Sequence, residues 1–387
     1  MNIEDLVLKD AVDYRATDIH IDPTLEGYQV RFRVDGKLRL WRELDRKDGI
    51  VLVNQIKAAV GMETGTVFHP RGERVKSLVG NQKLDLRVTL APCISGPKIA
   101  IRVLDADRIT RRIPNLGLQS FAQAELEAWS RILNGMMLVT GPTSSGKTTT
   151  LYSLLHELAR ESLHVVTIED PVEYEIDGIN QIQVDPRHHL DFAEGVKTAL
   201  RLDPDCVMIG EVREPATAIE ATNAAIQGHV VMASMHSRDA TSTVTRLRNF
   251  GIENHQICAS LGVVINQRLV RTLCPYCREE GLDLNEAREF FVGHQTPPPA
   301  LTFRSRGCEK CDHTGYFGRT GVFEIWNLDL TDYHMILSGE DEESIRDRLR
   351  KTSHQFILHD AAKKIEDGTT SFDEIRMLGL DMPWTMK

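Results

Sequence analysis

The stretch "GMMLVTGPTSSGKTTTLYSLLHELA", which starts at Gly135, constrains the fold of this chain more than any other. An apolar run leads into a glycine-containing loop, and a sequence typical of a helix follows. The loop matches G-x-x-x-x-G-K-[ST], a pattern in which backbone N–H groups surround phosphate oxygens, the lysine reaches the β and γ phosphates and the hydroxyl ligates Mg²⁺. We therefore predict that ATP and Mg²⁺ bind at Gly141, Pro142, Thr143, Ser144, Ser145, Gly146, Lys147, Thr148 and Thr149, with Thr148 as the magnesium ligand.

The composition is that of a globular protein with two or three domains. Of the 387 residues, 41% are hydrophobic and 26% are charged, which is enough to bury a core. No apolar run approaches the roughly 18 residues that a membrane helix needs, and the acidic N-terminus differs from a signal peptide. We expect a cytoplasmic protein. The net charge of −10 argues against stable nucleic-acid binding.

The first part of the chain reads as an α+β domain. An amphipathic helix is predicted near residues 3–14. The alternating segments "YQVRFRVDG", "KLDLRVTLAP" and "KIAIRVLD" predict a curved antiparallel sheet with one polar face, and Asp35-Gly36 predicts a hairpin turn. We place this domain at residues 1–105 and a linker at residues 106–114, where the periodicity breaks.

Beyond the linker, buried strands alternate with helices. The segments "LHVVTIED", "DCVMIGEV" and "GHVVMASMHS" follow the first apolar strand. Strands that are apolar on both faces and joined by helices are typical of a mostly parallel sheet in a doubly wound α/β domain. We place this domain at residues 115–270, a region with four paired cysteines at residues 271–325, and a C-terminal helical subdomain at residues 326–387.

Acidic residues follow two of the buried strands. Glu169, Asp170 and Glu173 come just after one strand, and Glu211 comes just after another. Carboxylates at the carboxyl ends of parallel strands face the crevice where the ligand lies, so one could hold Mg²⁺ and another could position an attacking water. Acidic helix caps and solvated turns are the simpler alternative for either group taken singly.

Two histidines, His229 and His236, flank a single strand. Six intervening residues place them roughly 20 Å apart on an extended strand, so both cannot contact one phosphate. His236, at the carboxyl end, is the better candidate for a γ-phosphate sensor, and a structural hydrogen bond suits His229.

Four of the seven cysteines form two C-x₂-C pairs, Cys274/Cys277 and Cys308/Cys311. Two thiolates from each pair complete a tetrahedral site for Zn²⁺, and a filled fourth position indicates a structural metal. A redox dithiol would need only one pair. Because the pairs lie far apart in sequence, we expect the intervening loop "GLDLNEAREFFVGHQTPPPA" to project.

Basic residues concentrate before the linker. Residues 67–112 contain ten Lys/Arg and four Asp/Glu. A solvated basic face explains this excess, and so does a surface that meets phosphates or an acidic neighbour.

Seven segments in order resemble the secretion ATPases that power type II secretion and type IV pilus assembly. They are "ATDIHIDP…VRFRVDG", "GPTSSGKTTTLY", "TIEDPVEYEIDGINQIQV", "DPDCVMIGEVRE", "GHVVMASMHSRDA", "INQRLVRTLCPYC" and "GCEKCDHTGYFGRTGVFEI". The resemblance implies RecA-like P-loop subunits, each preceded by a smaller PAS-like domain, in a homo-hexameric ring. ATP would lie between the two domains, and hydrolysis would move them. An inner-membrane platform protein and an adaptor are the implied partners, which would place the chain peripherally at the bacterial inner membrane.

The resemblance also assigns roles to residues. Lys147 and Thr148 match the Walker A pair, and Glu211 matches the catalytic glutamate of the Walker B box. Glu169, Asp170 and Glu173 fall in the Asp box, and His229 and His236 in the His box. The basic segment contributes Arg74, Arg87 and, less clearly, Arg102, which match arginines presented to the nucleotide.

Three departures from the family pattern stand out. Residues 70–74 read P-R-G-E-R where P-Q-D-G-R is usual, which weakens the match of Arg74, and Glu214 stands where Asp is usual. The extra N-terminal domain with which long members dock on their platform is not in this sequence, so we expect a short family member or a piece of a longer one.

Other functions stay open on the sequence. A pilus-retraction motor shares the ATPase core, although such members typically lack the tetracysteine insert, and a DNA-uptake pseudopilus motor is mechanistically equivalent. A helicase with a zinc knuckle is disfavoured by the acidic charge. A small-molecule kinase would need an acceptor pocket, which the sequence does not indicate.

Overall fold

The computed structural model describes residues 3–65, 69–79, 82–105, 112–129, 135–159, 163–281 and 283–380. The chain divides into two compact units, Met1–Ile109 and Thr110–Lys387. This division falls within the predicted linker, of which residues 106–111 lie outside the described part. The predicted domain boundaries remain predictions.

The first unit is an α+β fold. Its helices are α1 (Ile3–Asp13) and α2 (Arg46–Ala59). Its strands are β1 (Asp18–Pro23), β2 (Gly27–Val34), β3 (Lys37–Asp45), β4 (Arg71–Val79), β5 (Gln82–Cys93) and β6 (Gly96–Asp105). They form one sheet in the order β3-β2-β1-β6-β5-β4, and all neighbours are antiparallel. The predicted α+β arrangement is confirmed.

Alternation along the strands separates the two faces of this sheet. Side chains such as Ile19 and Ile21 are fully buried and pack with Val7 of α1 and Leu52 of α2 in one core, whereas the intervening polar residues face the other side. The hairpin turn between β2 and β3 is the predicted Asp35-Gly36, with φ of +48° and +86°. Both values suit a two-residue turn that matches the twist of the strands.

The second unit contains a seven-stranded sheet. Its strands are β7 (Gly135–Thr140), β8 (Val165–Glu169), β9 (Asn180–Gln183), β10 (Cys206–Val212), β11 (Val230–Met235), β12 (Leu261–Leu273) and β15 (Tyr316–Asn327). The order is β15-β12-β7-β11-β10-β8-β9. Six strands are parallel, and β15 runs antiparallel to β12. The predicted mostly parallel α/β sheet is confirmed.

Three of these strands were not predicted from the sequence. β9 is short and polar, and β15 carries glycine and charged residues in its first half. In β12 the apolar run is interrupted by Asn266, Gln267 and Arg268, all of which are buried. Polar residues are buried when they have hydrogen-bond partners, and these partners come from segments distant in sequence.

Helices cover the sheet and form the C-terminal part. They are α3 (Ser120–Trp129), α4 (Lys147–Leu158), α5 (Phe192–Leu200), α6 (Pro215–Ile226), α7 (Ser242–Asn249), α8 (Asn254–Ser260), α9 (Leu284–Gly293), α10 (Leu330–Leu337), α11 (Glu342–Arg350), α12 (Ile357–Glu366) and α13 (Phe372–Arg376). The last four are the predicted C-terminal helices. Within the described residues, every helix is too short or too polar to cross a bilayer.

The segment between the cysteine pairs is an insertion between β12 and β15. It contains a two-stranded sheet of β13 (Arg278–Glu280) and β14 (Phe303–Ser305), with α9 between them. The expectation of a projecting loop is wrong, because Ala287 and Phe291 share one face of α9 and are buried against the C-terminal helices.

Candidate functional site

The phosphate loop lies between β7 and α4, as the sequence predicts. Gly141, Ser144 and Gly146 have φ of +145°, +62° and +91°, values that glycine tolerates best. A Cβ on Gly141 would lie 2.4 Å from the backbone oxygen of Gln267, so this position accepts no side chain. Pro142, Thr143 and Ser144 are exposed at the tip.

Lys147 begins α4 and folds back over the loop. Its Nζ donates hydrogen bonds to the backbone oxygens of Gly141 at 3.0 Å and Pro142 at 2.9 Å. Burial, with a smaller contribution from Arg268, lowers the pKa of Lys147 to about 8, against the opposing effect of Glu211. The first N–H groups of a helix lack intrahelical partners and favour anions. The loop and the start of α4 can therefore cradle a phosphate group.

Two predicted residues join Lys147 at the carboxyl ends of neighbouring strands. The His236 ring Nδ1 lies 3.1 Å from the backbone oxygen of Gly141, and burial followed by the Lys147 charge lowers the pKa of this imidazole. Glu211 is mostly buried, is paired with Arg213, and acts electrostatically on both Lys147 and His236. Lys147 and His236 thus contact one loop, and the Glu211 carboxylate lies near enough to both to affect their charges.

His229 lies elsewhere. It precedes β11, whereas His236 follows that strand, and its Nδ1 lies 3.0 Å from the backbone oxygen of Pro204. The two histidines therefore occupy opposite ends of the sheet. The structure does not bring His229 to the phosphate loop.

The Asp-box acids surround the P-loop helix more than the loop itself. Glu169 is buried and accepts hydrogen bonds from the Tyr152 hydroxyl, from Thr167 Oγ1 at 2.6 Å and from Gln181 Nε2 at 3.0 Å. Burial, followed by Glu169, raises the pKa of Tyr152 far above its ordinary value. The Glu173 N–H donates to the same hydroxyl at 3.3 Å. Glu169 through its carboxylate and Glu173 through its backbone N–H thus both contact Tyr152 of α4.

Asp170 follows directly after Glu169. It is exposed directly after β8. Its carboxylate is therefore accessible at the same edge of the sheet as Glu211, because the two strands β8 and β10 are parallel neighbours.

Sequence reasoning missed the residues of β12 that support the loop. Gln267 Nε2 donates to the Ser145 backbone oxygen at 2.7 Å, and its Oε1 accepts from Thr150 Oγ1 at 2.8 Å. Asn266 Nδ2 donates to Thr140 Oγ1 at 2.9 Å. The signal was three consecutive polar residues in the middle of a largely apolar strand sequence.

The predicted arginines lie on the polar face of the first unit. Pairing across three strands places Arg74 opposite Arg87, and Arg87 opposite Arg102. Arg74 is ion-paired with Asp85 at 2.7 Å, and Arg102 with Asp18 at 3.2 Å. Directly opposite residues share one face of a sheet. The three guanidinium groups therefore form one row.

The four cysteines form a compact cluster. The Sγ atoms of Cys274 and Cys308 are 3.9 Å apart, those of Cys277 and Cys311 are 3.8 Å apart, and all four lie within 4.8 Å of one another. A tetrahedral metal with Zn–S bonds of 2.3 Å separates its sulfur ligands by about 3.8 Å. Among the described residues, this is the one group of three or more ligand side chains arranged for a metal. Its dimensions fit Zn²⁺.

Residues 2–377 match the family described as Type II/IV secretion system protein. The chain belongs to this family. It is 38% identical over 369 residues to the type II secretion system ATPase E of Vibrio cholerae, covering 95% of this chain and 73% of that protein. It is 36% identical over 373 residues to the type IV pilus assembly ATPase PilB of Thermus thermophilus, covering 95% of this chain and 42% of that protein. The predicted family and its ATPase activity are confirmed.

Solved structures show the same fold at lower identity. The ATPase DotB of Legionella pneumophila superposes with a TM-score of 0.71 at 22% identity, covering 97% of this chain and 94% of that one. The pilus retraction motor PilT with bound ADP has a TM-score of 0.67 at 21% identity, covering 99% and 98%. These likenesses support the secretion ATPase fold.

Replacing Gln267 by Met tests the support that β12 gives to the loop. The variant keeps the side-chain volume but leaves the Thr150 hydroxyl without its acceptor. A buried hydroxyl without a hydrogen-bond partner lowers the free energy of unfolding by about 1–3 kcal/mol. We expect a lower Tm and weaker ADP binding, measured by calorimetry and by fluorescence titration. Gln227→Met, at an exposed helix end, is the matched control. Equal ADP affinity in both variants would contradict a supporting role for Gln267.

Proposed function

We propose that the chain is the ATP-hydrolysing subunit of a motor that assembles type IV pili or type II secretion pseudopili. The observation that carries this proposal is that Lys147 and His236 both contact one phosphate loop, with Glu211 near the carboxyl end of the neighbouring strand β10, in a secretion ATPase. In this proposal the subunits form a hexameric ring in the cytoplasm and reach the inner membrane through a platform protein and an adaptor.

Each residue of the site has a distinct part in the proposed reaction. The N–H groups of the loop and Lys147 bind the phosphates. Glu211 orients the attacking water and takes up its proton, and His236 senses the γ-phosphate. Thr148 would ligate Mg²⁺, which, when bound, supplies charge neutralisation at the phosphates. The Glu169 carboxylate and the Glu173 backbone hold α4 through Tyr152, and His229 supports the far end of the sheet.

Assembly is favoured over retraction by the degree of likeness. The assembly and secretion relatives are 34–38% identical over at least 95% of this chain, whereas PilT is 21% identical, which shows only the fold. The cysteine cluster points the same way, because retraction motors typically lack it.

In this proposal, the arginine row links ATP hydrolysis to movement of the two units. Arg87 belongs to the first compact unit and the phosphate loop to the second. We propose that Arg87 reaches the nucleotide when the units close during the cycle, as a guanidinium suits transition-state charge. Arg74 and Arg102 extend the same positive row.

Changing Glu211 to Gln separates binding from hydrolysis. The amide keeps the shape but cannot take up a proton, so kcat should fall about a hundredfold or more, while ATP binds and persists. Lys147→Ala should weaken both binding and turnover. The measurements are phosphate release and the affinity for a fluorescent ATP analogue. Glu194→Gln, an exposed acid on α5, is the control. Near-normal turnover in Glu211→Gln would move the role to Glu169 or another acid.

Zinc binding is tested by elemental analysis and by Cys308→Ser. We expect about one zinc per chain, because four thiolates fit one tetrahedral ion. The variant should lower Tm by roughly 5 °C or more before it lowers nucleotide affinity, since the metal stabilises the insert and not the loop. Cys93→Ser, at an exposed cysteine, should leave Tm unchanged. Purified protein without zinc would end this interpretation.

The motor mechanism is tested at Arg87. Arg87→Ala should cut turnover by about 10³–10⁵, the usual loss for an arginine finger, while nucleotide affinity falls much less. Lys83→Ala is the matched control, since Lys83 lies on the same strand and the same face, four residues away. Similar turnover in the two variants would mean that the row is a solvated basic face.

Native mass spectrometry with and without nucleotide tests the proposed hexamer.

A further inference from the structure

The segment after β11 carries His236 to the phosphate loop and continues to α7. We call residues 236–241 the His236 loop. Asp239 organises it from within, because its Oδ1 accepts hydrogen bonds from Thr241 Oγ1 at 3.0 Å and from the Ser242 N–H at 2.8 Å. Ser237 Oγ donates to the Asp239 backbone oxygen at 3.1 Å. The position of Asp239 therefore determines the path of the chain near His236.

A C-terminal helix holds Asp239 from outside. Arg346 on α11 donates from Nη2 to Asp239 Oδ2 at 2.7 Å and to Glu342 Oε1 at 2.5 Å, and its Nη1 pairs with Glu343 at 2.7 Å. The Arg346 side chain is only 17% exposed. Although burial acts to raise the pKa of Asp239, Arg346 and the other donors hold it below its ordinary value. A charged contact so shielded from water has a fixed geometry.

The opposite side of the His236 loop rests on β12. Arg268 is buried and donates from Nη2 to the backbone oxygen of Arg238 and from Nη1 to that of Gln267 at 3.0 Å. Gln267 in turn bonds to the phosphate loop at Ser145. The His236 loop is thus held between the strand that supports the phosphate loop and a helix far along the chain.

Helix α11 is itself fixed to its neighbour. Arg348, two residues after Arg346, is ion-paired with Asp329 and with the buried Asp332 at the start of α10. Arg238 adds a second link to α11 through Glu342. A displacement of α10 and α11 would therefore reach the His236 loop through charged contacts.

We propose that Arg346 is a positioning residue for ATP hydrolysis: by holding Asp239, it fixes the loop that places His236 beside the phosphate loop. This inference rests on the proposed function, in which His236 senses the γ-phosphate. Arg346 touches no reacting atom, so it acts on turnover through His236. The C-terminal helices thereby set the efficiency of the nucleotide site.

The test uses the full chain, four single variants and one double variant. Arg346→Ala removes the contact with Asp239. Arg346→Gln removes the charge but keeps most of the side-chain length and one hydrogen-bond donor group, so it serves as a second variant if Arg346→Ala fails to fold. Arg350→Ala is the matched control, because Arg350 lies on the same helix, pairs with Glu343 and Asp347 and does not contact Asp239. His236→Ala is combined with Arg346→Ala in a double-mutant cycle. The readouts are kcat, KM, affinity for a fluorescent ATP analogue and Tm.

We expect Arg346→Ala and Arg346→Gln to lower kcat on the order of tenfold or more, since small misplacements of a catalytic group have effects of this size. KM and analogue affinity should stay near those of Arg350→Ala. In the His236→Ala background, Arg346→Ala should have little further effect on kcat.

Two results would overturn this inference and leave the proposed function standing. One is wild-type kcat in both Arg346 variants beside an impaired His236→Ala. The other is a full additional loss when Arg346→Ala is added to His236→Ala, which would mean that Arg346 acts by another route. Wild-type kcat in His236→Ala would instead remove the premise and, with it, the γ-phosphate sensor from the proposed function.

Discussion

The contact between the phosphate loop and strand β12 is the constraint on which the second unit depends. Gly141 approaches the Gln267 backbone so closely that a Cβ would overlap its oxygen, and the Gln267 side chain bonds to both the loop and α4. A P-loop must present its N–H groups in one arrangement before the ligand arrives, because ordering them afterwards would cost conformational entropy. Strand β12 supplies that order from outside the motif.

This arrangement explains why the predicted and observed sites differ in their supporting residues. The motif itself, with Lys147, Glu211 and His236, could be recognised because strand–loop–helix patterning is local and strand ends of a parallel sheet converge. The supporting roles of Gln267 and Arg268 could not be predicted. The partners of Gln267 lie more than a hundred residues earlier in the chain, and Arg268 bonds to Arg238 in the loop that follows β11. Buried polar residues acquire meaning only when their partners are known.

The fold shows the same division between local and distant information. Alternation and the Asp35-Gly36 turn predict the antiparallel sheet of the first unit, because one face is apolar and the other polar. Apolar runs likewise predict β7, β8, β10 and β11. The sequence does not reveal β15, whose glycines and charges suit a loop until pairing with β12 satisfies its backbone. Nor does it show α9 packing on the C-terminal helices, which depends on Phe372 and Ile375.

The place of the cysteine cluster has a consequence for how such chains can diverge. β12 and β15 are antiparallel neighbours, so the whole insert, from Cys274 to Gly315, occupies the position of a hairpin connection. Closing a loop between paired strands costs free energy that rises only with the logarithm of its length. Loop closure therefore tolerates changes in the length of this connection, but such changes must keep the packing of Phe291 on the C-terminal helices and on β12 and β15, which holds the insert in this chain.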